Sequence, residues 1–166
     1  LNDWIFDVSI TANRPDCQSI FGLAREVAAA LGQPLKTPAL DYTETEVEKE
    51  GFEVTVDAQD LCPRYIAHYV YDVKLGQSPA WMRRRLALVG NNSISNIVDI
   101  TNYIMRELGQ PLHAFDCNFL EGNAIQVRRA NEGEKIVTLD EKEFTLNPNN
   151  LVICDGKKPV ALAGIM

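Results

Sequence analysis

Long apolar runs are missing from this chain of 166 residues: no stretch approaches the roughly 20 that would span a bilayer. No charged segment followed by an apolar one opens the N-terminus, so no signal peptide is visible. Cysteine is scarce. Cys17, Cys62, Cys117 and Cys154 are widely spaced and form no CxxC pair. With His68 and His113 far apart, a metal site is not expected. Reduced, mostly buried thiols in a cytoplasmic protein are the expectation. Basic charge is also short, with 16 Lys and Arg against 23 Asp and Glu, a net charge of −7. That argues against a general nucleic-acid-binding surface, since tight phosphate binding normally comes from clustered cations. The one basic run, Arg83-Arg84-Arg85, falls on a predicted helix and reads first as a solvated face, with a phosphate contact as the alternative. The common catalytic signatures are absent as well: no GxSxG elbow, P-loop, GxGxxG or HExxH. Ser95 and His113 are too few cues for a triad, and nothing near Cys117 activates a thiolate.

Hydrophobic residues at 46% and charged residues at 23% suit a globular chain able to bury a core. Residues 3–10 alternate, with Trp4, Phe6, Val8 and Ile10 on one side, as a half-buried strand does. Ile20, Leu23, Ala24, Val27, Ala28 and Leu31 then mark a helix closed by Gly32 and Pro34. Residues 37–51 carry an acidic run, Glu44, Glu46, Glu48 and Glu50, and read as a solvated linker. Residues 52–56 read as a strand, and residues 64–73 as a longer one. Ser78 and Pro79 read as the cap and first residue of a short helix ending at Gly90. Short strands follow near 124–129, 135–139, 143–146, 151–154 and 159–163, separated by turn signals. Helices first and strands afterwards predict an α+β fold with a mixed or antiparallel sheet packed with helices. Trp4 and Trp81 read as core or interface residues and His68 as a packed or surface histidine. The chain opens on Leu and stops at Gly-Ile-Met directly after an apolar strand, as expected of an internal piece of a longer protein.

Residues 99–116, DITNYIMRELGQPLHAFD, carry the most information. Ile97, Ile100, Ile104 and Leu108 recur at helical spacing and predict a core-facing stripe. Asn96 is the expected cap, with Asp99 in the first turn; Gly109 and Pro111 stop the helix. Thr101 and Asn102 lie about a turn in, and His113 and Asp116 follow in the loop. Asp116 reads as a turn acceptor. Spacing alone supports a pocket and no more.

The block SISNIVDITNYIMRELGQPLHAFD resembles the central B3/B4 domain of the β subunit of bacterial phenylalanyl-tRNA synthetase. Residues 7–32 resemble the segment preceding that domain, and CPRYIAHYV, SPAWMRRRL, VRRANEGEKIVTLDEKEFTL and PVALAGIM follow in the family's order. The resemblance implies three segments: 1–36 as the end of a preceding module, 37–58 as acidic linker and entering strand, and 59–166 as a truncated B3/B4-like editing domain. It also implies a function. Tyrosine differs from phenylalanine by one hydroxyl, which an apolar synthetic pocket rejects poorly, so a second site hydrolyses mischarged Tyr-tRNA(Phe). His113, Thr101 and Asn102 match the residues of that editing pocket, and no cofactor is implied within this stretch. The parent ligase uses ATP and Mg2+, pairs with an α subunit in an α2β2 assembly and binds tRNA(Phe), in the cytoplasm and with no membrane partner. The family often reads Gly-Ile-Arg where this chain has Gly90-Asn91-Asn92, which leaves Asn92 as the tRNA or substrate contact without the Arg charge. The family's Gly-Gly and a downstream glutamate of the pocket wall fall beyond Met166. The rival expectation is a non-catalytic module that positions tRNA or packs on the α subunit.

Overall fold

The computed structural model describes residues 4–39, 41–43 and 51–164. They divide into two compact units, Leu1–Glu44 with Asp72–Ala114, and Thr45–Tyr71 with Phe115–Met166. The acidic run 44–50 lies outside the described residues.

The first unit is helical. A 3-10 turn at Pro15–Gln18 leads into α1 (Ile20–Leu31). Ser19 caps α1, its hydroxyl accepting from the Gly22 N–H at 3.0 Å, and Gly32 ends it in the left-handed conformation. The 3-10 turn is folded so closely onto α1 that a Cβ on Gly22 would sit 1.7 Å from the Asp16 carbonyl oxygen. α2 spans Ala80–Leu88 and buries Met82 and Leu86, one turn apart on one face. α3 spans Asn96–Leu108 and packs against both α1 and α2.

The second unit is a mixed four-stranded sheet in the order β1-β2-β5-β6, with β3 and β4 as a separate hairpin. Its strands are β1 (Glu53–Val56), β2 (Ala124–Arg129), β3 (Lys135–Val137), β4 (Glu143–Thr145), β5 (Leu151–Cys154) and β6 (Pro159–Leu162). β1 runs parallel to β2, and the β2–β5 and β5–β6 pairs are antiparallel. Alternation buries Ile125 and Val127 on β2 and Val152 and Cys154 on β5. Ala130, Ile136 and Leu146 complete a core with Val152 and Cys154, and burial pushes the Cys154 thiol up to about 11. Arg128 forks onto Glu134 at 2.9 and 2.7 Å, and the Asn131 N–H donates to the same carboxylate at 2.9 Å. Asp155 organises the β5–β6 turn: it is 1% exposed and accepts from the N–H groups of Lys157, Lys158 and Glu121. Gly156 donates its N–H to the Glu121 carbonyl at 2.7 Å, an approach that a Cβ on Gly156, 2.9 Å from the Gly122 Cα, would block.

The α+β class and the mixed sheet agree with expectation. Four local expectations fail. Residues 4–10 form no strand among the described residues, and Trp4 and Phe6 are 89% and 85% exposed. Residues 64–73 likewise lie outside every strand of the described residues, with Ile66 and Val70 exposed. Alternation makes a strand only where a neighbour supplies hydrogen bonds, and the edges of this sheet are β1 and β6. At α2, Pro79 occupies the cap position, and the Ser78 hydroxyl is used elsewhere. At α3, Ser95 rather than Asn96 is the cap, accepting from the Val98 N–H. The α3 stripe is also only partly covered: Ile100 and Leu108 are 43% and 40% exposed.

Gly22→Ala tests the tight α1 entry. The Cβ meets backbone, which cannot swing aside, so destabilisation of at least about 2 kcal/mol is expected in urea unfolding. Gly32→Ala is the contrast. It adds a Cβ in open space at a left-handed position and should cost about 1 kcal/mol.

Candidate functional site

Asp99 is the only fully buried residue of α3, at 0% exposure. Its Oδ2 accepts from the hydroxyls of Ser78 and Ser93, each at 2.5 Å, and its Oδ1 accepts from the Ile94 N–H at 2.9 Å. Burial alone would raise its pKa. The two hydroxyls, the Ile94 amide and the Arg83 charge outweigh that and hold it below its ordinary 3.8. Asn96 reinforces the same junction, donating from Nδ2 to the Lys74 carbonyl at 2.8 Å and accepting from the Gly76 N–H at 3.3 Å. The chain before α2, the loop before α3 and the first turn of α3 are therefore tied to one carboxylate and one amide.

Thr101 and Asn102 follow directly on this fixed turn and are half-buried. Thr101 donates its hydroxyl to the Val98 carbonyl at 2.8 Å, so its oxygen is left to accept from a ligand. His113 is in the exposed loop after Gly109, which closes α3 in the left-handed conformation. Partial burial lowers the imidazole below its ordinary 6.5, which favours the neutral ring. Asn92 is exposed in the α2–α3 loop. All four belong to the first unit. Asp116 belongs to the second, where it caps the Cys117–Phe119 turn by accepting from Asn118 N–H at 2.9 Å.

A groove of about 270 Å³ lies in the second unit, lined by Glu53, Thr55, Asp57, Gln126 and the Asp155-Gly156 turn, and contains none of these residues. Its exposed carboxylates suit no anionic ligand. Asp16, Cys17 and Glu26 bring three potential metal-ligand atoms within 4.8 Å of one another. Arg14 already holds that cluster, with Nε and Nη2 on Asp16 at 3.0 and 2.8 Å and Nη1 on Glu26 at 3.2 Å. A hydrogen bond from this guanidinium lowers the Asp16 carboxyl to about 2. The cluster is an ion pair that a metal would have to break. All four cysteines are free. No helix among the described residues is long and apolar enough to cross a membrane.

Sequence patterning missed Asp99 and Asp155 as buried hubs. A helix-start aspartate amid Ser78, Ser93 and Ser95 was the available signal for the first, and the Asp-Gly turn for the second.

Replacement of Asp99 separates charge from hydrogen bonding. Asp99→Leu strands two hydroxyls and an N–H and should cost on the order of 3 kcal/mol; Asp99→Asn keeps a polar partner for each and should cost about 1 kcal/mol. Because the folded pKa lies below the unfolded one, the stabilisation is complete above the unfolded value and is lost as pH falls through the folded value. Acid unfolding of Asp99→Asn should therefore be less steep than that of the unaltered chain below pH 4.

Residues 61–166 match the model of the B3/4 domain. The whole chain is 57% identical over 170 residues to the phenylalanine–tRNA ligase beta subunit of Syntrophus aciditrophicus, covering 100% of this chain and 21% of that protein. It is 51% identical to the protein of that name from Bdellovibrio bacteriovorus, covering 99% of the chain and 20% of the relative. It is 52% identical to the one from Moorella thermoacetica, covering 100% and 21%. The chain thus spans about a fifth of the length of these relatives.

Proposed function

The chain belongs to the B3/4 domain family, and on that premise we propose that it is part of a phenylalanine–tRNA ligase β subunit and carries side chains of a site that hydrolyses mischarged Tyr-tRNA(Phe). The observation that supports this most is that His113 lies in the same unit as Thr101 and Asn102, downstream of a helix start locked by Asp99. An aminoacyl ester is an activated acyl group, so its hydrolysis needs an oriented water and donors for the developing oxyanion more than a strong base. A neutral imidazole both accepts and donates, and can order that water. The Thr101 oxygen and the Asn102 amide offer polar partners for a tyrosine hydroxyl, which phenylalanine would leave unsatisfied. Asn92 contacts the tRNA end or the substrate. Aminoacylation, with its ATP and Mg2+, is assigned to an α subunit in an α2β2 assembly and to no residue of this chain. The setting is the cytoplasm.

The rival is a packing module without catalysis. It is favoured by the exposed apolar side chains Trp4, Phe6, Ile66 and Val70.

In the parent enzyme, His113→Ala should cut Tyr-tRNA(Phe) deacylation by on the order of 100-fold while phenylalanine charging is unchanged. Equal loss of both activities would make His113 a folding residue, and loss of neither would favour the rival. Protonation removes the acceptor, and the folded pKa is depressed, so the acid limb of the deacylation profile should lie below about pH 6.5.

A further inference from the structure

The α2–α3 loop is pinned at both ends, and both pins are on α3. At one end the Asp99 carboxylate accepts from the Ser93 hydroxyl at 2.5 Å and from the Ile94 N–H at 2.9 Å. At the other, Arg106 donates from Nε to Asn91 Oδ1 at 2.8 Å, while the Asn91 N–H donates to the Leu86 carbonyl of α2 at 2.9 Å. Asn92 stands between the two pins and is exposed.

Helical spacing decides where that leaves Asn92. Asp99, Asn102 and Arg106 stand at i, i+3 and i+7 and share one stripe of α3. Seven helical residues rise about 10 Å, and the three steps from Asn91 to Ile94 reach at most about 10 Å. The loop is thus drawn along the stripe, antiparallel to α3, with Asn92 over its middle. Asn102, half-buried, lies on the same middle part of the stripe.

We propose that Arg106 is a positioning residue of this site: through Asn91 it fixes the start of the α2–α3 loop and, with Asp99 fixing its end, sets the Asn92 amide beside the Asn102 amide. Two carboxamides side by side offer one ligand two acceptor oxygens and four N–H donors. Ordering them before the ligand arrives lowers the entropy lost on binding. The identity of that ligand, the ester-bearing end of tRNA, rests on the function proposed above. Arg106 acts by its hydrogen bond and not as a free cation. The Glu107 carboxylate follows it in the chain and accepts at 3.2 Å from the Tyr103 hydroxyl, to which Arg85 donates at 2.6 Å.

The test uses the full parent enzyme. KM and kcat for Tyr-tRNA(Phe) deacylation are measured beside hydrogen exchange of the 90–95 segment, read by mass spectrometry. Asn91→Ala keeps the guanidinium charge, and Arg106→Met removes it. Each should raise KM roughly 5-fold, as the loss of one hydrogen bond would, with kcat unchanged and faster exchange of the segment. The two together should be no worse than either alone, because both remove the same bond. Arg106→Lys keeps a donor for Asn91 and should restore KM. Asn92→Ala should raise KM as well, and adding Arg106→Met to it should change nothing more, because Arg106 acts through Asn92. If Arg106→Met fails to fold, Asn91→Ala carries the same comparison. Normal KM in Asn91→Ala with raised KM in Arg106→Met would make Arg106 a direct phosphate contact and overturn the proposal. So would unaltered KM in both, or additive effects of Asn92→Ala and Arg106→Met. Faster exchange in both variants of an enzyme that hydrolyses no Tyr ester would uphold the pinned loop and overturn the editing function instead.

Discussion

A carboxylate at 0% exposure, held by two serine hydroxyls and a backbone amide, is the constraint on which the helical unit depends. Asp99 joins Ser78, from the chain before α2, to Ser93 and Ile94, from the loop before α3, and it does so from the first turn of α3 itself. Removing a carboxylate from water is costly, and only a full set of donors offsets that cost. With the set complete, the negative charge also sits near the positive end of the α3 dipole. The consequence is positional. Thr101 and Asn102 follow directly on this turn and Asn92 is next to Ser93, so three of the side chains proposed to meet the substrate adjoin this one site, whereas His113 lies beyond the far end of α3.

The sheet unit repeats the device. Asp155 is buried at the β5–β6 turn and accepts three backbone N–H groups, as Asp99 accepts two hydroxyls and one. Its neighbour Gly156 closes on Gly122, where neither residue can carry a side chain. Around it the Arg128–Glu134 fork and the Val152 core fix the hairpin β3–β4 against the sheet strands. In both units a buried carboxylate with its hydrogen bonds made joins segments that are apart in sequence.

Legibility in the sequence divides along a physical line. β2, β5 and β6 were readable because alternation, turn residues and pairing all lie within a short span, 124–162. α1 and α3 were readable from their apolar period and their glycine stops. Residues 64–73 carry the same alternation as β2, yet a strand is a property of two segments, and periodicity describes only one. The α3 cap was misread by one residue because Ser95 and Asn96 are both good caps, and Asn96 is instead engaged with Lys74 and Gly76. For the site, residue types and order were visible through the family resemblance, whereas their support was not. Asp99 looks like an ordinary first-turn acid until its distance in sequence from Ser78, 21 residues, is closed by the fold.

The account stands on Asp99 being a buried, ionised hub, and its own titration tests that most directly. Carbon-13 NMR of the Asp99 side-chain carboxyl, followed from pH 7 downward, should show it ionised through the range in which an ordinary aspartate protonates, near 3.8, and titrating only below it. Loss of the slowly exchanging Ile94 amide should accompany that protonation. Titration at or above 3.8, with the Ile94 amide indifferent to it, would mean that the carboxylate is neither held nor needed by its three donors, and the placement of Thr101 and Asn102 would require another cause.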